Sequence, residues 1–128
     1  MPIRVVRLGT QRRAGEGPRL GAVRRPPRGV PKARFAKDDW YDLWLPDLAP
    51  SEALVKQALR ASSDKDWRAF ATKYRKEMAA PEKARLLELL AALSRNFSFS
   101  VGCYCEDEAR CHRSVLRALL RERGAELA

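Results

Sequence analysis

The segment that decides the fold is residues 97–114, which read F-S-F-S-V-G-C-Y-C-E-D-E-A-R-C-H-R-S. Its first nine residues alternate with a period of two, which is typical of a β-strand. After a short acidic turn, a last helix is predicted from about residue 111 to 123, and Gly124 is placed to end it. The inner face of that helix is expected to be formed by Val115, Leu116, Leu119 and Leu120. A strand, a turn and a helix in this order indicate an α/β domain.

The rest of the chain supplies further elements of the same domain. β-branched residues predict strands at 3–8 and 20–23. From residue 40 onward we expect helices, because Ser51, Ser63 or Asp64, and Pro81 stand at positions suited to begin three of them. A core stripe is predicted from aromatic residues and one methionine, namely Trp67, Phe70, Tyr74 and Met78 together with Trp44. The chain is therefore predicted to form one domain over residues 1–128, a small three-layer Rossmann-like α/β fold with a mostly parallel sheet.

Charge divides this domain into three parts. Residues 1–37 are basic and rich in loops, with eleven Lys or Arg and one acidic residue, so they carry the whole net charge of +10. Residues 38–95 are expected to be mainly helical, and residues 96–124 hold the strand, turn and helix quoted above. A basic segment favours weak, salt-sensitive contact with nucleic acid. Only Phe35 is present there to stack on bases, so this contact is an alternative and not the first hypothesis.

Composition excludes several classes of protein. With 45% hydrophobic and 33% charged residues the chain is expected to fold, unlike a disordered segment. No apolar run is long enough for a membrane span, and no secretory signal is visible at the start. Three cysteines are too few for a disulfide scaffold, which favours the reducing cytoplasm. The oligomeric state has no signature in the sequence.

The predicted site is the turn between the last strand and the last helix. Free backbone N–H groups at a helix start attract anions, and Arg110, Arg113 and Ser114 add donors there. We therefore expect a small anionic ligand, phosphate-like or a carboxylate, held by these three residues with Tyr104. The same residues also fit a purely structural, solvated turn.

Cysteine chemistry at this turn is a second hypothesis. Cys103 and Cys111 are candidate catalytic nucleophiles, and His112, the single histidine of the chain, is the candidate base. We expect Cys111 to be the most reactive thiol because it stands at the helix start beside two arginines. Whether the protein is an enzyme is left open by these residues.

A metal site is a third hypothesis, formed by Cys103, Cys105, Cys111 and His112. The spacing C-x-C-x5-C-H differs from the usual C-x2-C of zinc sites, so no metal is predicted. No Walker A loop and no G-x-G-x-x-G is present, and accordingly no cofactor is predicted.

Several motifs resemble those of a known family. The chain resembles the YeaO-like branch of the superfamily called domain of unknown function (DUF) 488 in four stretches, R-G-V at 28–30, D-L-W-L-P-D-L-A-P-S at 42–51, W-R-A-F at 67–70 and Y-R at 74–75. Cys103 and C-H-R-S at 111–114 are similar to the broader branch of that superfamily. The resemblance implies a compact α/β fold and a site at the cysteine-histidine-arginine turn, with no established reaction.

The chain departs from the family pattern at two places. Cys105 stands where the broader branch usually has a glutamate, and Val23 and Pro26 stand where the YeaO-like branch usually has an aspartate and a tryptophan. The resemblance therefore implies a pocket of the family's kind with an altered lining.

Overall fold

The computed structural model describes residues 2–128, which form four strands and four α-helices. The strands are β1 (Ile3–Arg7), β2 (Arg19–Gly21), β3 (Leu43–Trp44) and β4 (Phe99–Cys103). The helices are α1 (Glu52–Arg60), α2 (Asp64–Met78), α3 (Pro81–Leu93) and α4 (His112–Glu122). Three short 3-10 turns connect them, at Lys32–Arg34, Pro46–Leu48 and Glu108–Arg110.

All four strands are parallel, in the order β1-β4-β2-β3. The last strand in the sequence, β4, is thus central. It pairs with β1 from Ile3–Phe99 to Arg7–Cys103, and with β2 from Arg19–Ser100 to Gly21–Gly102. All five residues of β4 are buried, as expected for a parallel strand covered on both faces. The predicted Rossmann-like α/β fold is confirmed.

The two faces of the sheet carry different layers. Leu20 and Val101 point into the main core, where they meet residues of the helices. The next residues, Gly21 and Gly102, point the other way. A Cβ atom at Gly21 would lie 2.4 Å from the ring of Tyr41, and one at Gly102 would lie 2.5 Å from Leu8. The missing side chains therefore allow residues outside the helices to pack directly on this face.

Helices α1, α2 and α3 begin at the positions that the sequence predicts. Ser51 accepts a hydrogen bond from the Leu54 backbone N–H at 3.3 Å, and Ser63 accepts one from that of Asp66 at 3.1 Å. Pro81 is the first residue of α3. Gly124 follows α4 with a φ of +80°, a conformation that favours glycine. The core stripe of α2 is confirmed, since Phe70, Tyr74 and Met78 are buried and Trp67 packs against them.

Three details of the sequence prediction are wrong. Leu43 and Trp44 form a strand, β3, inside the region expected to be helical, because they pair with β2 at the sheet edge before Pro46 ends the run. At that edge Trp44 is 42% exposed and lies outside the core, with its indole N–H donating to the Val23 carbonyl at 2.8 Å. The last strand begins at Phe99 and not at Phe97, whose side chain is 59% exposed.

The basic segment folds back on the domain. Arg12 pairs with Asp42 at 2.7 Å, and Arg34 pairs with Asp38 at 3.0 Å. A further pair, between Arg19 and Glu16, is buried. These three of the eleven basic residues of this segment are thus paired with carboxylates. Within residues 2–128, none of the helices has the length and apolar character that crossing a bilayer requires.

Candidate functional site

A cavity of about 920 Å³ opens at the carboxyl ends of three neighbouring strands. Residues that follow β1, β2 and β4 line it, together with residues of α1 and the start of α4. Parallel α/β sheets commonly bind ligands at this edge, because loops and helix starts converge there. The site that the sequence predicts after the last strand therefore lies at this cavity.

Two cysteines and the single histidine meet at the floor of this cavity. The ligand atoms of Cys103, Cys111 and His112 all lie within 4.8 Å of one another, and all three residues are buried. Cys103 ends β4, whereas Cys111 is the N-cap of α4 and His112 its first residue. Cys105 is exposed, but its sulfur lies 3.8 Å from that of Cys103. The strand and the helix thus bring together the three residues predicted as catalytic.

The orientation of His112 follows from its contacts. Its Nε2 lies 2.7 Å from the carbonyl oxygen of Ala22, the residue after β2. A carbonyl only accepts hydrogen bonds, so Nε2 carries the hydrogen and Nδ1 is the atom that faces the sulfur of Cys111, at 3.7 Å. The Tyr74 ring and the imidazole pack edge to face, with the ring centroids 5.5 Å apart. The ring is therefore fixed from two sides.

The three thiols have different acidities. Hydrogen bonds from Cys103 and Cys105 lower the pKa of Cys111. Burial acts to raise this pKa, whereas the contact with His112 lowers it further, so the net change is downward. The pKa of Cys103 is raised by its hydrogen bonds to Cys105 and Cys111 and by burial. At Cys105 the contact with Cys103 acts to lower the pKa, but the bond to Cys111 and burial outweigh it and the net change is upward. These directions agree with the expectation that Cys111 is the most reactive thiol, which itself stays a prediction.

Of the four residues expected to hold an anion, two line the cavity. Arg110 does so while paired with Asp64, and Tyr104 does so while its hydroxyl donates to the Arg25 carbonyl at 2.9 Å. Arg113 is buried and donates to the Cys105 carbonyl, and the Ser114 hydroxyl donates to the Cys111 carbonyl at 3.0 Å. Arg113 and Ser114 therefore act on the backbone of the turn, outside the cavity lining.

Other cations, which the site prediction did not include, line the cavity. They are Arg7, Arg24, Arg25, Arg28 and Lys56. Arg24 is engaged by the carbonyls of Pro46, Ala49 and Pro50, and Arg25 pairs with Glu52. Within residues 2–128, Arg28 and Lys56 have no hydrogen-bond or ion-pair partner for their side chains. The excess charge of residues 1–37 was visible in the sequence, but its position over the cysteines depends on the fold.

Apolar side chains form another part of the wall. Val55 and Leu59 come from α1, and Phe70 comes from α2. On the opposite layer, Trp40 meets Tyr104 edge to face, with ring centroids 5.8 Å apart. The cavity therefore offers apolar surface and positive charge above a floor of two sulfurs and an imidazole, which could act as a nucleophile and base or hold a soft metal ion.

Comparison with known families identifies the family of the chain. The family model DUF488-N3a, described as the Active DUF488-N3 subclade, matches residues 3–124. The protein belongs to the DUF488 family. The sequence resemblance is thereby confirmed for DUF488 as a whole, while membership of its YeaO-like branch stays a prediction. No curated protein and no solved structure matches this DUF488 chain.

Proposed function

We propose that this DUF488 protein binds a small anionic molecule in the cavity, with the reacting part of that molecule above Cys103, Cys111 and His112. The observation that carries the proposal is the pair of unpartnered cations, Arg28 and Lys56, in the lining of the cavity that has this cluster at its floor. Phosphate and carboxylate groups suit such cations. The apolar wall suits the remaining body of a ligand.

Two further considerations support a catalytic role in the cytoplasm. The matching family is described as an active subclade. The three cysteines are free and two of them are buried at the site, an arrangement suited to a reducing compartment. Arg110 and Tyr104 belong to the proposed ligand-binding set, and Arg113 and Ser114 support it by fixing the turn.

The proposal is tested by measuring the binding of inorganic phosphate, pyrophosphate and succinate by calorimetry in buffer that contains a chelator. We expect Arg28→Ala/Lys56→Ala to weaken binding of the preferred anion by about tenfold or more, a change of about 1.4 kcal/mol. The matched control is Lys76→Ala/Arg85→Ala, which removes two exposed cations from α2 and α3, outside the cavity lining. Equal weakening in both double variants would show that only net charge matters and would refute the proposal.

We propose weak binding of nucleic acid as a second function, because cations that line the cavity come from the basic segment, residues 1–37. Arg7, Arg24, Arg25 and Arg28 all come from the basic segment and line the same cavity. Phosphate contacts would make such binding fall steeply with salt. Anisotropy of a labelled single-stranded oligonucleotide between about 50 and 200 mM salt tests this. A steep salt dependence that is unaffected by changes at His112 would favour nucleic acid over the small ligand.

A further inference from the structure

We propose that Cys103, Cys111 and His112 bind one zinc ion, with its fourth coordination position open to the cavity. The donor set is two sulfurs and one imidazole nitrogen, which are ligands that zinc prefers. Their ligand atoms lie within 4.8 Å of one another in a buried position. This inference rests on the cluster alone and does not depend on the anionic ligand.

The distances suit a single ion. Zinc lies about 2.3 Å from sulfur and about 2.0 Å from nitrogen, so two of its tetrahedral ligands are separated by about 3.5–3.8 Å. The sulfur of Cys111 and Nδ1 of His112 are 3.7 Å apart. Cys103 comes from the neighbouring strand end and completes the group. An ion could therefore join these side chains with only small rotations.

The hydrogen bond of His112 is of the kind that metal-bound histidines make. Such residues usually donate their second ring N–H to a carbonyl or carboxylate, which fixes the tautomer and the ring. Here Nε2–H donates to the Ala22 carbonyl, so Nδ1 is left as the ligand atom on the side of Cys111. The backbone carbonyl just after β2 thus fixes the imidazole in the tautomer that coordination through Nδ1 requires.

The open position distinguishes this site from a structural zinc site. Structural sites have four protein ligands, whereas catalytic sites have three and leave one position for water or substrate. Cys103, Cys111 and His112 all line the cavity and form the group of mutually close ligand atoms in the described chain. Cys105 is exposed and is not one of that group, although its sulfur lies 3.8 Å from that of Cys103, and the variant Cys105→Ser decides whether it coordinates. Zinc held there would face the cavity that Arg28 and Lys56 also line and would itself attract an anion.

The experiment uses the full chain, reduced and freed of metal with a chelator that is then removed. Titration with Zn²⁺ against a chromogenic chelator is expected to give one ion per chain. Titration with Co²⁺ is expected to give the intense visible absorption of a four-coordinate ion and a near-ultraviolet band from two thiolates. Failure of the wild-type protein to bind one ion per chain would overturn the proposal, whatever the variants do.

Variants then identify the ligands. Cys111→Ser and His112→Asn are each expected to weaken Zn²⁺ binding by at least about tenfold. Cys105→Ser is the matched control, a neighbouring thiol outside the ligand set, and is expected to keep the stoichiometry and the two-thiolate band. If Cys105→Ser lowers affinity as much as Cys111→Ser, the site is a closed four-ligand site and the open position is refuted. Because the anion-binding test is done with chelator present, its outcome is separate from this one.

Discussion

Glu16 and Arg19 form an ion pair that is almost completely shielded from solvent, with 2.6 Å between Arg19 Nε and Glu16 Oε2 and 1–2% exposure of the two side chains. Ser100 on the central strand donates to the same carboxylate at 2.8 Å, and the Arg19 guanidinium also donates to the Asp39 carbonyl at 2.7 Å. The pair thus ties the first long loop to β2, to β4 and to the turn before β3.

Removal of one partner should be costly. We expect Glu16→Ala to lower the free energy of unfolding by about 3–5 kcal/mol, because it leaves the Arg19 charge buried without its counter-ion. The matched control is Glu122→Ala, which breaks the exposed pair with Arg75 and should cost under about 1 kcal/mol. Urea unfolding at neutral pH measures both. Similar losses in the two variants would contradict the burial argument.

The same carboxylate predicts a pH dependence of stability. Burial acts to raise the pKa of Glu16, but hydrogen bonds from Arg19, Ser100 and the Arg13 backbone outweigh it, and the net pKa is below the ordinary 4.5. Its stabilising contribution is therefore fully present above the unfolded-state pKa and is lost as pH falls through the lower folded-state value. The difference in urea midpoint between wild type and Glu16→Gln should shrink below about pH 4.5. A difference that grows on acidification would contradict this.

Two buried tyrosines should respond in opposite ways to loss of the hydroxyl. The Tyr41 hydroxyl is buried without a hydrogen-bond partner in residues 2–128, whereas that of Tyr74 donates to the Leu48 carbonyl at 2.6 Å. We expect Tyr41→Phe to raise the free energy of unfolding by about 1 kcal/mol and Tyr74→Phe to lower it by about the same amount. Each variant is the control for the other, since the substitution is identical. Thermal and urea unfolding measure the two changes, and equal destabilisation would be the contrary result.

Thiol labelling tests the acidities at the cluster. In metal-free protein at neutral pH we expect iodoacetamide to reach Cys111 through the cavity and to modify it first, because its lowered pKa favours the thiolate, while the pKa of exposed Cys105 is raised. Addition of Zn²⁺ should protect Cys103 and Cys111 and leave Cys105 reactive. Peptide mapping by mass spectrometry after short reaction times gives the order. Preferential labelling of Cys105 in metal-free protein would contradict it.

Local patterns in the sequence were sufficient for most of the fold. The period-two alternation led to β4, and the caps at Ser51 and Ser63 led to two helix starts, because these signals depend on neighbouring residues. Strand β3 was missed because two residues, Leu43 and Trp44, have no periodicity to detect.

The site was predicted less completely, for a different physical reason. Cys103, Cys111 and His112 lie close together in the sequence, so one turn identified them. His112 donates to the backbone carbonyl of Ala22. Every residue has such a carbonyl, so the residue types in the sequence do not indicate this contact. Which cations reach the cavity likewise depends on pairing between strands far apart in the chain, so Arg28 could not be selected from eleven basic residues.

The central position of β4 has a consequence for how the chain folds. Ile3 pairs with Phe99 and Leu20 pairs with Val101, so two of the three strand pairings join residues separated by 96 and 81 positions. Closing such long loops reduces the entropy of the chain before the stabilising contacts form. A large sequence separation between contacting residues, known as high contact order, therefore slows folding. During synthesis, β1 and β2 emerge long before their common partner. We therefore expect refolding at the slow end of the range for small α/β domains, and a chain cut before residue 97 should be unable to join β1 to β2, since both strands pair with β4.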